Sequence, residues 1–375
     1  MTLVDAFNRP LRDLRISVTD RCNFRCTYCM PREHFGPEHP FLPRNELLSY
    51  EEICFVVSSL LSCGLRKVRL TGGEPLLRRD LPELISMLRE RGPELDIALT
   101  TNGALLNAHA SALHEAGLDR VTVSLDAMNE ATFQAMSDTK QFTPGLILEG
   151  IEAAKNIGLF VKVNAVIRKG VNEDQIVPLA RACLERGVSL RFIEYMDVGN
   201  TNAWNVDEVV SGSEIRNVIE REFGTLTAEP PKHIGEVARR YRLDSGYEFG
   251  FIESVSNPFC GDCSRARLSA NGSLYTCLFS SVGHDLKGLL RFGAEEGDVA
   301  EAVRAIWQRR DDRYSMERST VSMTLTRLRC PLLAADFQVI AGREMSTMSA
   351  FEVCSTNRNR HVPSSAPMVS ESMTK

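Results

Sequence analysis

The sequence predicts an α/β fold, a partial (βα)6 TIM-type barrel followed by a C-terminal α+β segment. Three observations carry that expectation. From residue 12 to about 195, short apolar β-rich runs alternate with amphipathic helical stretches. The alternation yields six strand–helix units in series, which implies a parallel sheet with right-handed crossovers. Six units are too few for an eight-unit barrel and suit an open one, whose chemistry would collect at the C-terminal strand ends. After residue 200 the alternation stops.

The strands are expected at "LRISVT" (14–19), "KVRLT" (67–71), "DIALTT" (96–101), "RVTVSLD" (120–126), "FVKVNAVI" (160–167) and "SLRFIEYM" (189–196). Ser49 with Glu52 reads as a capping box before "ICFVVSSLL", and Gly64 as the stop that follows. Asn172 with Gln175 predicts the same device before a helix ending near Gly187. The loops after the first four strands, including "RLTGGEP", "TTNG" and "SLD", then open on one rim. Further on, 208–223 reads as helix, 232–256 as strand-rich, "SANGSL" as a hairpin turn and "AEEGDVAEAVRAIWQRR" as a late helix. The division expected is 1–200 for the barrel, 201–350 for the second segment and 351–375 for a polar, Ser/Pro-rich disordered tail.

At 375 residues the chain has room for one large barrel or two domains. A net charge of −5 gives no general attraction to nucleic acid, so any anion site must be local. No run approaches the roughly 18 apolar residues of a membrane span, and "MTLVDAFNRPLRDLR" lacks the apolar core of a signal peptide. The expected location is cytoplasmic, where the eleven cysteines would not form structural disulfides. Cys54, Cys63 and Cys183 sit in apolar helical stretches and read as core, while Cys330 and Cys354 are scattered. The other six form two trios, Cys22/Cys26/Cys29 and Cys260/Cys263/Cys277.

"DRCNFRCTYCMP" spaces the first trio as C-x3-C-x2-C. Three thiolates on one loop can hold an iron–sulfur cluster and leave one iron open, whereas structural zinc asks for four closed ligands. "CNFRCTYC" resembles the motif of the radical S-adenosylmethionine (radical SAM) family. The resemblance implies a 4Fe–4S cluster on Cys22, Cys26 and Cys29, with S-adenosylmethionine chelated at the open iron. It further implies cofactor contacts from Tyr28, Gly73 and Glu74 of "TGGEP", Ser124 and Met196.

"NPFCGDCSRARLSANGSLYTCLF" spaces the second trio as C-x2-C-x13-C. On chemistry alone zinc and an iron–sulfur cluster remain equally open, with His284 the nearby candidate for a fourth zinc ligand. Taken with the first trio, the pattern resembles the GTP 3′,8-cyclase family of molybdenum cofactor biosynthesis, from about Leu11 to Met348. That resemblance implies a second 4Fe–4S cluster and GTP as substrate. The nucleotide would be bound through Arg15, Arg69, Thr100, Lys162, Arg191, Arg265, Ala266 and Arg267, with Arg265 and Arg267 in the catalytic role. Independently, cations inside apolar strands such as "FVKVNAV" and "SLRFIEY" need buried partners, which an anionic ligand would supply. The implied reaction joins the ribose 3′ carbon to guanine C8 after a 5′-deoxyadenosyl radical removes the 3′ hydrogen. The implied partners are an external electron donor, a downstream cyclic pyranopterin monophosphate synthase and a second copy of the chain. One departure stands out. Ser349 and Ala350 occupy the place of the family's paired glycines, and the chain runs on to Lys375. That departure leaves open a paralogue with impaired or altered activity, nucleotide-binding or regulatory; a radical SAM peptide maturase, which also carries C-terminal cysteines, is a second alternative.

Overall fold

The structure is a computed structural model that describes residues 2–198, 204–233 and 235–321. The expected boundary at residue 200, the cysteines at 330 and 354, residues 349–350 and the tail lie outside those residues. The barrel strands are β1 (Asp13–Ser17), β2 (Lys67–Thr71), β3 (Asp96–Thr101), β4 (Arg120–Ser124), β5 (Phe160–Ile167) and β6 (Ser189–Glu194). Each neighbouring pair is parallel and in register. The helices that cover them are α1 (Tyr50–Leu61), α2 (Leu81–Arg91), α3 (Leu106–Glu115), α4 (Glu130–Ser137), α5 (Pro144–Asn156) and α6 (Ile176–Glu185).

The later segment contributes α7 (Gly212–Phe223), β7 (Leu226–Glu229), β8 (Arg239–Leu243), β9 (Glu248–Ile252), β10 (Arg265–Leu268), β11 (Ser273–Tyr275) and β12 (His284–Asp285). It closes with α8 (Leu286–Arg291), α9 (Glu296–Gln308) and α10 (Tyr314–Val321). Its strands continue the barrel sheet, giving the order β12-β11-β10-β1-β2-β3-β4-β5-β6-β9-β8-β7. β10 lies parallel to β1 and β9 parallel to β6, so both edges of the barrel are covered by strands from late in the chain. The "SANGSL" turn joins β10 and β11 as an antiparallel hairpin, with Gly272 at φ +84°.

Alternation along the strands sorts the side chains by face. Leu14, Ile16, Val68, Leu70, Val161, Val163, Leu190, Phe192, Ala266 and Leu268 are buried in one hydrophobic core. Burying a Leu, Val, Ile or Phe side chain contributes about 1.5–3 kcal/mol. The intervening residues, Arg15, Arg69, Lys162, Arg191, Arg265 and Arg267, are turned to the interior cavity.

Ser49 and Glu52 form the expected capping box, and Cys54, Cys63 and Cys183 are buried in the core. The box expected from Asn172 and Gln175 does not form. The Asn172 amide instead donates to the carbonyls of Asp126 and Val166, each at 2.8 Å. The Gln175 side-chain oxygen accepts from the backbone of Met128 and Asn129. Asn172 is taken up in pinning the ends of β4 and β5, and Gln175 in tying the turn that leads into α4.

Candidate active site

The first trio occupies the loop after β1. Cys22, Cys26 and Cys29 are buried, and the three thiols lie near enough to disfavour one another's charge. Packing of the loop explains its shape. Phe24 inserts between Phe133 and Phe142, with ring centroids 6.0 and 5.5 Å away. The Arg25 guanidinium ties the carbonyls of Cys22, Phe24 and Phe35. The loop after β2 crosses over it, with the Gly73 amide donating to Thr19 at 2.8 Å and the Glu74 amide to Arg21 at 2.7 Å. A Cβ on Gly73 would lie 2.0 Å from the Arg21 carbonyl oxygen, so only glycine permits this approach.

Glu74 is fully buried. Its carboxylate accepts from Leu76 N (3.1 Å), the Thr101 hydroxyl (2.7 Å) and Asn102 N (2.8 Å). Burial still pushes its pKa up to about 7, against those donors. Tyr28 donates to Asp126 at 2.7 Å, and burial lifts Asp126 to about 6. Burial, with Glu74 adding to it, drives the Cys22 thiol up to about 12. A cationic group or a metal would relieve this anionic pocket.

The barrel interior holds a cavity of about 270 Å³. Arg15, Lys67, Arg69, Arg120, Lys162, Arg191, Lys232, Arg265 and Arg267 line it against the carboxylates of Asp13 and Glu236. Strand register builds this excess: Arg15 lies between Arg267 on β10 and Arg69 on β2. Arg69 donates to the hydroxyls of Thr100 (2.9 Å) and Thr122 (3.1 Å). Gly250 makes room for Arg191, whose Cγ would stand 2.8 Å from a Cβ there. Burial and then Arg191 bring Lys162 down to about 7, while burial and then Arg265 bring Arg267 to about 10. Nε of Arg69 and of Arg265 is buried without a hydrogen-bond partner among the described residues. Stranded donors at this density fit a polyanion.

The second trio opens on the same cavity, all three cysteines lining it half-buried. Here the neighbours are cationic. Desolvation raises the Cys263 thiol, but Arg265 and then Arg310 outweigh it and bring Cys263 down to about 6. Arg310 Nη2 donates to Cys263 Sγ at 3.2 Å and Arg265 Nη2 at 3.5 Å. Among the described residues no three His, Cys, Asp or Glu are gathered to grip one metal ion. Ligands of a single zinc must converge within about 2.3 Å of it. In an iron–sulfur cluster each thiolate serves its own iron, so three cysteines can hold one and leave its fourth iron open.

Comparison with known proteins agrees with this geometry. Residues 16–183 match the Radical SAM superfamily and residues 188–316 match Molybdenum Cofactor Synthesis C. A GTP 3′,8-cyclase of Acidothermus cellulolyticus is 52% identical over 317 residues, covering 83% of this chain and 87% of that protein. One from Staphylococcus aureus strain JH9 is 49% identical over 317 residues, covering 84% and 93%. The chain belongs to the GTP 3′,8-cyclase family. Two solved structures share its fold: Streptococcus suis SuiB bound to S-adenosylmethionine (TM-score 0.58, 14% identity, 88% of this chain and 73% of that one), and native anSMEcpe with bound AdoMet (TM-score 0.53, 16%, 76% and 81%).

The residues expected from the radical SAM and GTP 3′,8-cyclase resemblances fall into two groups. Arg15, Arg69, Thr100, Lys162, Arg191, Arg265, Arg267 and Met196 line the cavity. Tyr28, Gly73 and Glu74 surround the first trio, and Ser124 ends β4 beside Asn164. Ala266 sits between its two arginines with its side chain in the core, so the cavity receives no side chain from it. Sequence reasoning overlooked Asn102, Asp126, Arg9 and Arg310. "TTNG" could have pointed to Asn102, which follows Thr101 at a strand end. For Arg9 and Arg310 no local pattern exists.

Proposed function

We infer that the chain converts GTP to (8S)-3′,8-cyclo-7,8-dihydroguanosine 5′-triphosphate, the first step of molybdenum cofactor biosynthesis. One observation carries this reading: a buried cationic cavity shares its wall with a cysteine trio. Cys22, Cys26 and Cys29 would hold one 4Fe–4S cluster, with Tyr28, Gly73, Glu74, Ser124 and Met196 around S-adenosylmethionine. Cys260, Cys263 and Cys277 would hold the second. When bound, the first cluster and S-adenosylmethionine supply a 5′-deoxyadenosyl radical by one-electron cleavage of the sulfonium.

The chain's own residues do the positioning. Arg15, Arg69, Lys162 and Arg191 neutralise the triphosphate, guanidinium groups doing so bidentately. Arg265 and Arg267 sit at the trio end of the cavity and hold the nucleotide so that its 3′ carbon and C8 meet. Holding two reacting atoms together replaces the entropy of encounter. Seating the reacting atoms in the interior cavity limits the access of water to the radical. The same reading includes an external one-electron donor, a downstream cyclic pyranopterin monophosphate synthase, a cytoplasmic location, and self-association into a homodimer that sedimentation would test.

Anaerobic incubation of the reconstituted protein with GTP, S-adenosylmethionine and dithionite is the direct test. The expected result is 5′-deoxyadenosine together with cyclised nucleotide, each dependent on GTP. Formation of 5′-deoxyadenosine that ignores GTP would overturn the substrate.

A further inference from the structure

The second cysteine trio is gripped from outside the cavity by residues drawn from both ends of the described chain. Arg310, at the end of α9, has a side chain only 1% exposed. Its Nε donates to the Thr276 carbonyl at 3.0 Å, beside Cys277. Its Nη1 donates to the Cys263 carbonyl at 2.8 Å, and its Nη2 to Cys263 Sγ at 3.2 Å. Arg9 Nη1 donates to the Cys260 carbonyl at 2.8 Å. Between them, the two guanidinium groups hold a carbonyl at or next to every cysteine of the trio.

Asp5 binds both arginines, its Oδ2 lying 2.6 Å from Arg9 Nε and 2.9 Å from Arg310 Nη1. The Trp307 ring lies under the Arg310 guanidinium, 4.5 Å from centroid to charge, and its N–H donates to the Arg9 carbonyl. Asp312 approaches Arg310 Nε at 3.7 Å. Arg265 also reaches Cys263, but it lines the cavity, where a bound polyanion would offset its charge. Arg310 stands behind the trio, so its charge persists whatever the cavity holds.

We propose that Arg310, fixed by Asp5 and Arg9, is a positioning residue for the second trio and raises the reduction potential of the cluster held there. A donor and a positive charge at a ligating sulfur stabilise the more negative, reduced state. This rests on the reading that the trio binds a cluster, which iron content tests separately: about eight irons per chain for two 4Fe–4S clusters, about four if that reading fails.

The experiment is a redox titration followed by electron paramagnetic resonance on the full chain carrying both clusters. The signal that responds to S-adenosylmethionine marks the first cluster; the other signal is the one to follow. Arg310→Gln is expected to lower the second cluster's potential by at least a tenfold change in its reduction equilibrium, about 59 mV for one electron. Arg310→Lys should restore most of it. The first cluster's potential should stay put. An unchanged second potential in Arg310→Gln overturns the proposal, as does a rise. If Arg310→Gln cannot keep its second cluster, retention by Arg310→Lys at near wild-type potential supports the proposal. Loss from both variants reduces Arg310 to a structural clamp and overturns it.

Discussion

The two cysteine trios offer the same donors in opposite electrostatic settings. The first lies buried beside Glu74 and Asp126, and burial holds Cys22 up near pKa 12. The second lies among Arg265, Arg267 and Arg310, which bring Cys263 down to about 6 despite its desolvation. An anionic pocket suits a cationic sulfonium and its ammonium; a cationic one suits a triphosphate. The sulfurs themselves do not choose the ligand. Their neighbours do.

The largest expected effect comes from removing one sulfur at each place. Cys26→Ala should cut iron from about eight to about four per chain and abolish 5′-deoxyadenosine formation. Cys263→Ala should lose as much iron while retaining reductive cleavage of S-adenosylmethionine, now uncoupled from nucleotide cyclisation. If Cys263→Ala is equally dead in cleavage, the two settings are one functional unit and the contrast fails. A smaller effect is expected at the cationic side. Arg267→Ala removes a charge-assisted contact of about 1.5–3 kcal/mol, so anaerobic calorimetry should show GTP affinity falling by about tenfold to a hundredfold. S-adenosylmethionine binding should be unaffected.

The smallest effect sharpens the comparison through pH. Lys162 is held down to about 7 by burial and then by Arg191. A triphosphate would raise that pKa, so the attraction is fully present below about 7 and is lost as pH rises toward the bound value. GTP affinity should therefore weaken above pH 7, by at most about tenfold per pH unit, and Lys162→Met should flatten that slope. A slope unchanged in Lys162→Met would place the titrating group elsewhere.

Much of the site was legible because it breaks a local rule. Lys162 and Arg191 interrupt apolar strands, and alternation alone sends them to the face opposite Val161, Val163 and Leu190. The trios were legible through spacing. What escaped reading depends on distant pairing. Asn172 and Gln175 carry a helix-start pattern, yet their side chains are spent on the ends of β4 and β5 and on the turn before α4. The parallel docking of β10 on β1 had no preceding helix to announce it, since a cysteine loop leads into it instead. Asp5, Arg9 and Arg310 make sense only once residues up to 305 positions apart have met.

That meeting also orders events in time. Arg9 is made well before its partner: the carbonyl it grips belongs to a residue 251 positions later. Among the described residues the contacts around the first trio come from the barrel, whereas the second trio is held by Arg9, before the first strand, and by Arg310, after α9. The two places are therefore expected to fill unequally: the described contacts of the first are available once the barrel has been made, and the second must await the stretch that carries Arg310.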